Sequence, residues 1–202
     1  MQVTARDQRP AARARREQIV AAAIDVIATS GYRSATFQTI AAAAGIKSTR
    51  TISYHFAGKD DLIAAVVEDV FSTITAFMAH ARIATDSFDS ALETTIRATV
   101  ALNDAHRASM QALMSIFLEH YPAGGSSTYG PDEETAVMSP IQQVLVDGQK
   151  AGEFTDFDAE IMAATIQRSL DGVAFLLRTH PDLDLDHYAD ELVSTFRRAT
   201  RR

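Results

Sequence analysis

Apolar residues recur at helical spacing through most of this chain. Ile19, Ala23, Val26 and Ile27, with Val20 and Ile24 beside them, form one stripe that predicts a helix from about Ala12 to Ser30. Gly31 follows as a stop signal. Thr36 is placed to cap a short helix to Ala44, with Phe37, Ile40, Ala41 and Ala44 on its inner side and Gly45 ending it. Ser48 caps a second short helix to about Phe56. A long helix then starts near Lys59, and Leu62, Val66, Phe71, Ile74 and Phe77 carry it towards His80. Further helices are predicted from 85–87 through about Ala105, from His106 to Tyr121, and over about 133–151, 156–179 and 184–200. The stretch 121–134, "YPAGGSSTYGPDEE", is the longest loop signal. Alternating β-branched runs are missing, so the fold class is all-α, with three short N-terminal elements joined to a larger helical remainder.

Charge divides the chain at nearly the same place. Residues 1–60 hold nine Lys and Arg against four acids, a net of +5. Residues 61–202 hold ten against 22, a net of -12 within the overall -7. A small basic module beside a larger acidic one marks the former as the part that would meet a polyanion. The boundary falls inside the long helix: 1–12 reads as a flexible basic arm, 13–60 as a helix-turn-helix domain and 61–202 as a larger acidic helical domain, for which the family resemblance given below implies ligand binding and dimerisation.

The chain has 202 residues and no cysteine, which removes disulfides, thiolate nucleophiles and Cys-based zinc sites. No uninterrupted apolar run reaches about 18 residues, so no membrane span is expected, and the charged N-terminus lacks a secretory h-region. Six histidines show no i, i+4 pair. There is no HExxH run, P-loop or GxSxG elbow. No enzyme, cofactor or metal site is expected, and the location is expected to be cytoplasmic.

The segment "GIKSTRTISYHFAGKDDL", 45–62, concentrates the candidate chemistry. Two short helices around a Gly turn are the helix-turn-helix arrangement. Ala41 permits close approach, and Ile52 and Phe56, four apart, share an inward face. The opposite face presents Arg50 and Tyr54, flanked by Thr51, Ser53 and His55. Arg can grip guanine edges and Thr a thymine methyl, while Tyr, His and Lys suit phosphate oxygens.

Gly31-Tyr32, Thr36-Phe37, Ile40-Ala41, Ala44-Gly45-Ile46, Ile52-Ser53-Tyr54-His55-Phe56 and Lys59-Asp60-Asp61-Leu62 resemble the N-terminal domain of tetracycline-repressor-type (TetR) regulators over about residues 13–65. The resemblance implies a homodimer on near-palindromic double-stranded DNA, in most members a repressor released by a small molecule. It implies that Ser48, Thr49, Arg50, Thr51, Ser53, Tyr54 and His55 face DNA, with Thr36 and Lys59 on the backbone. One departure stands out. The turn carries an extra residue, placed at Lys47, which would point at a phosphate and leaves the aim of Arg50 open. Arg6, Arg9, Arg13, Arg15 and Arg16 either reach DNA or form a solvated tail.

In the acidic part, Ala174, Leu177, Tyr188, Leu192 and Phe196 are the expected dimer residues, or else intramolecular core. An unidentified, largely apolar effector would be lined by Phe71, Phe77, Met78, Met110, Met114, Phe117, Tyr121, Met138 and Phe175, with Gln167, Arg168, Asp171 or His120 as polar anchors. The loop 122–131 would gate it or simply connect. The alternative is a helical DNA-binding protein with a filled core, controlled by a protein partner or by abundance. A third reading is an interaction module without DNA.

Overall fold

The computed structural model describes residues 5–81, 85–122 and 128–201, with side chains from Pro10 onward. Among them the elements are α1 (Ala5–Ser30), a 3-10 turn (Tyr32–Ser34), α2 (Phe37–Ala43), α3 (Thr49–His55), α4 (Lys59–Ala81), α5 (Phe88–Ala105), α6 (Arg107–Glu119), α7 (Pro131–Lys150), α8 (Ala159–Thr179) and α9 (Leu185–Thr200). No strand occurs among the described residues, and the fold is all-α as expected. Helix α1 begins at Ala5, seven residues before the expected start. Its first turns contain Pro10, which removes one backbone donor, and they cover much of the segment read as an arm.

Side-chain caps set most of the boundaries. Ser87 accepts from the Ser90 amide, Asp158 from Glu160 and Ile161, and Asp184 from His187. Each satisfies an amide that the first turn of a helix leaves unpaired.

The chain divides into two units, Met1–Thr73 with Ala108–Thr128 and Ile74–Arg107 with Tyr129–Arg202. The division falls inside α4, but at Thr73 rather than near Lys59, and the first unit also takes in most of α6. The core of the first unit gathers Ile19, Ala23 and Ile27 of α1, Ile40 and Ala41 of α2, and Ile52 and Phe56 at α3. Leu62, Val66 and Val70 of α4 and Leu113 and Ile116 of α6 complete it.

The second unit packs Leu92, Ile96 and Val100 of α5 against Ile141 and Leu145 of α7. Ile166, Leu170, Val173 and Leu177 of α8 and Val193 and Phe196 of α9 close the same cluster. Phe154, after α7, lies so close to Gly148 that a Cβ there would stand 2.3 Å from its ring, so only glycine fits.

Helix α4 bears on one expectation. With a mean hydropathy of 1.7 it is long and apolar enough to cross a membrane by length and composition, and only 28% of the stretch is buried within this chain. Glu68 and Asp69 break the apolar run that a count of uninterrupted residues looks for, but they lower the mean too little to fail it.

Candidate nucleic-acid interface

The helix-turn-helix is built by caps at three of its four ends. The Thr36 hydroxyl accepts from the Thr39 amide at 3.2 Å, and the Thr39 hydroxyl accepts from the Thr36 amide at 2.9 Å, a reciprocal capping box. Helix α2 closes with paired bonds from Gly45 N to Ala42 O at 3.1 Å and from Ile46 N to Ala41 O at 2.8 Å. This double closure needs a left-handed residue at its centre, and Gly45 supplies it with φ +65°. From α1, the Gln18 amide donates to the Ala44 carbonyl at 2.7 Å.

Ser48 then caps α3, accepting from Arg50 N at 3.3 Å. Gly45 and Ile46 complete the end of α2, and Ser48 begins α3. Lys47 is therefore the one residue of the turn with no capping duty, and its side chain is exposed.

Helix α3 has two sharply different sides. Ile52 is fully buried and Phe56 nearly so. Thr49, Arg50, Ser53 and Tyr54 are exposed, and Thr51 and His55 are half-buried. Tyr54 is 83% exposed and stands edge-on to His55, ring centroids 5.2 Å apart. The Arg50 guanidinium makes no hydrogen bond or ion pair among the described residues, and neither does the Lys47 ammonium. The Ser53 hydroxyl donates back to Thr49 O at 3.3 Å. Thr49, Arg50, Ser53 and Tyr54 thus share the exposed side, and Ser53, which the sequence places nearest the buried face, lies on it.

Lys59 is placed differently from expectation. Its ammonium donates to the Tyr32 carbonyl at 2.9 Å and lies 3.8 Å from the centre of the Tyr32 ring. Burial pushes its pKa down, against the opposing pull of Asp60 and Glu119. The first turn of α4 carries Asp60 and Asp61, and Asp61 accepts from Ala57 N at 2.8 Å. In the chain alone the Lys59 ammonium is therefore engaged by Tyr32, beside two carboxylates. The Thr36 hydroxyl is likewise engaged in its cap.

Arginines of α1 are partly spoken for. Arg13 pairs with Glu17 at 2.8 Å, Arg15 donates to Gln18 at 2.7 Å, and the Arg16 guanidinium sits 4.9 Å from the Phe56 ring centre. The Arg6 and Arg9 side chains lie outside the described residues.

His120 was expected as an effector anchor. It is 3% exposed and belongs to the first unit. Its Nε2 lies 3.2 Å from Asp60 Oδ1, its Nδ1 is bonded to the Thr128 hydroxyl, and its ring lies 5.2 Å from that of Tyr32. Around it the Tyr32 amide donates to Ser115 Oγ at 3.0 Å, and Arg33 pairs with Glu119 at 3.3 Å. Burial raises the Tyr32 phenol, with Asp60 and Glu119 adding to it. This cluster ties α6, the 3-10 turn and the start of α4 together. The sequence carried no signal for it, because all the partners except His120 and Thr128 are 60 or more positions apart.

The remaining effector candidates divide between the units. Phe71, Met110, Met114, Phe117 and Tyr121 lie in the first, and Phe77, Met78, Met138, Gln167, Asp171 and Phe175 in the second. The Phe71 and Phe117 rings are 6.3 Å apart and half-buried. Tyr121 and Phe175 face solvent, 65% and 43% exposed. Gln167 donates to Asp171 at 2.7 Å, and Asp171 pairs with Arg168 at 2.8 Å. Burial holds the Asp171 carboxyl above its usual range despite both partners. These anchors are closed on one another.

Two open grooves cut the second unit. One of about 490 Å³ is lined by Arg97, Asp190, Arg197, Arg198 and Arg201, and one of about 460 Å³ by Phe88, Pro140, Gln143 and Val144. None of the expected effector residues lines either. Half of the expected gating loop 122–131, residues 123–127, lies outside the described residues.

The residues expected at a dimer face, or else in the core, pack into the second unit. Ala174, Leu177 and Phe196 are 3 to 5% exposed, sealed into their own unit. Tyr188 and Leu192 pack half-buried against the same core. Helical spacing marks an apolar face without saying whether the same chain covers it. On α8 the exposed apolar residues are instead Ile161 and Phe175.

Residues 19–66 match the family of bacterial regulatory proteins of the tetR type. No curated protein matches the chain. Among solved structures, the ketosteroid transcriptional regulator KstR2 of Mycobacterium tuberculosis superposes with a TM-score of 0.76 at 18% identity, covering 100% of this chain and 97% of that one. A bacterial regulatory protein in the tetR family from Rhodococcus RHA1 gives 0.75 at 24% identity, covering 90% and 94%. The fatty acid degradation regulator FadR from Bacillus halodurans gives 0.70 at 19%, covering 89% and 93%. At these identities the likeness is one of fold.

Proposed function

We propose, from the premise that residues 19–66 are a regulatory domain of the bacterial tetR family, that the chain is a homodimeric, sequence-specific repressor that leaves its operator when a small, largely apolar ligand binds. The observation that carries the DNA half is the outer face of α3. Arg50 and Tyr54 stand exposed with no internal polar partner, on a segment of net +5 in an acidic chain. Exposed donors without an internal task, at the spacing of one helix face, are what base reading requires. Arg50 reads a base edge, Thr49, Thr51, Ser53, Tyr54 and His55 support it, and Lys47 and Ser48 meet the backbone.

A two-fold operator asks for a two-fold protein. The surface that supports this is α8, where Ile161 and Phe175 are exposed 14 residues apart, close to four turns, and so share a side. Gly172 lies between them with open space where a Cβ would stand. The effector half is supported by half-buried Phe and Met side chains on α4 and α6. The relatives described as regulators of ketosteroids and of fatty acid degradation point to the same apolar chemistry. Chromosomal DNA as target places the protein in the cytoplasm. One observation favours the effector-free alternative: neither groove touches the expected ligand residues.

Selection of binding sites from random duplexes, followed by anisotropy titration against a scrambled duplex at several salt concentrations, tests the reading. The expected result is an enriched near-palindrome whose binding weakens steeply with salt. Selection that enriches no sequence would overturn it.

A further inference from the structure

Asn103 of α5 is 2% exposed. Its Nδ2 donates to the Thr99 carbonyl at 2.9 Å, while its Oδ1 is the one buried side-chain polar atom without a hydrogen-bond partner among the described residues. A carbonyl oxygen left unpaired in an apolar interior is a standing cost, and native chains seldom carry one without a use for it. The amide cannot escape by turning over. Rotation would set Oδ1 against the Thr99 carbonyl, two acceptors face to face. The orphan is therefore fixed as an acceptor, and what it lacks is a donor.

Close to it along the chain, on the same unit, stands an incompletely covered aromatic pair. His106 lies three residues further on, as the C-cap of α5. The His106 ring stands edge-on to Phe77, centroids 5.7 Å apart and planes at 90°. Both residues are half-buried, as are Ile74 and Met78 of the same α4 stretch. Helix α5 ends at Ala105 and α6 begins at Arg107, so this aromatic pair sits at the single-residue junction between two helices.

We propose that Asn103 Oδ1 is the polar anchor of the effector site, receiving an O–H or N–H from an otherwise apolar ligand that lies against Phe77 and His106. The inference rests on the effector half of the proposed function and needs nothing from the DNA half. It narrows the ligand to one class: a flat or ring-sized apolar body carrying a hydrogen-bond donor, not an ether, ester or ketone alone. In the structure as it stands Oδ1 is covered, so the ligand enters by displacing the half-buried rings.

The test uses the full chain and three probes, 1-naphthol, 1-methoxynaphthalene and naphthalene, with binding measured by calorimetry. The hydroxyl of 1-naphthol can donate, whereas the methoxy oxygen would meet Oδ1 acceptor to acceptor. Expected is about three- to tenfold tighter binding of 1-naphthol than of 1-methoxynaphthalene, the worth of one net hydrogen bond. In Asn103→Leu the preference for 1-naphthol should vanish while the thermal midpoint holds or rises, because the unpaired carbonyl is gone. Equal affinity for the two probes in the wild type overturns the proposal without any variant. So does failure of all three to bind, or a preference that survives in Asn103→Leu. These outcomes are read without DNA, so a failure of operator binding would be seen separately.

Discussion

Arg50 and Arg197 are both arginines on amphipathic helices, and the protein uses them in opposite ways. In the second unit, Arg197 reaches from α9 to α5, where Asp89 accepts at 2.8 Å and Glu93 accepts beside it. Arg97 pairs with Glu93 and Asp190, both at 2.7 Å, and Arg201 adds a further contact to Asp89. The hydrogen bond from Arg97, with the Arg197 charge, holds the Glu93 carboxyl below its usual range despite partial burial. These charges form a ladder that joins two helices. On α3, Arg50 has no such partner and stands in solvent. The contrast teaches that residue type says little by itself. A cation whose donors are satisfied inside the chain is architecture, and one held out from an ordered helix, its donors unspent, is available to something else.

The largest test of that division lies beneath both faces. Ile52, on the inward side of α3, and Leu145, at the centre of the second unit, are both fully buried. Ile52→Ala and Leu145→Ala should each cost about 2–5 kcal/mol in urea unfolding, the range for truncating a packed aliphatic side chain. If Ile52→Ala cost no more than a surface change, α3 would not be anchored as described, and its outer face would lose its meaning.

The next test exchanges the roles of the two arginines. Arg50→Ala should weaken binding to the selected operator by about 1–3 kcal/mol and relax preference at one base position. It should leave stability within about 0.5 kcal/mol. Arg197→Ala should do the reverse. It takes one partner from Asp89, which keeps Arg201, and one from Glu93, which keeps Arg97, and should lower stability by about 1–3 kcal/mol, the cost of leaving mostly covered acceptors short of a donor. Operator preference of the folded protein should not change. Denaturation and anisotropy on both variants decide it, and crossed effects would break the comparison.

Much of this was legible in the chain. Thr36, Ser48 and Gly45 act locally, through bonds to residues no more than four positions away, so their identity and place sufficed to mark caps and turn. Ile40, Ile52 and Phe56 announced themselves by helical period. What could not be read was set by distant partners. His120 meets Asp60 across 60 positions. Ala174, Leu177 and Phe196 have the pattern of a face, yet whether that face meets its own chain or another is decided by folding. Asn103 went unnoticed because an unpaired acceptor is defined by what is absent around it.

Lys47 and Lys59 give the smallest and sharpest test, because the sequence assigned both to phosphate and the structure separates them. Lys47 is exposed in the turn with no capping duty and no partner among the described residues. Lys59 spends its ammonium on the Tyr32 carbonyl and ring. Lys47→Ala should reduce the slope of log affinity against log salt by about 1, equally for operator and scrambled duplex, with stability unchanged. Lys59→Ala should leave that slope alone and lower stability by about 0.5–2 kcal/mol, the range for a partly desolvated cation–π contact. Salt titrations and urea unfolding of the two variants, run side by side, resolve the assignment. If Lys59→Ala flattened the salt dependence as Lys47→Ala does, its ammonium would have to leave Tyr32 when DNA arrives. The boundary between architectural and available cations would then move with the ligand.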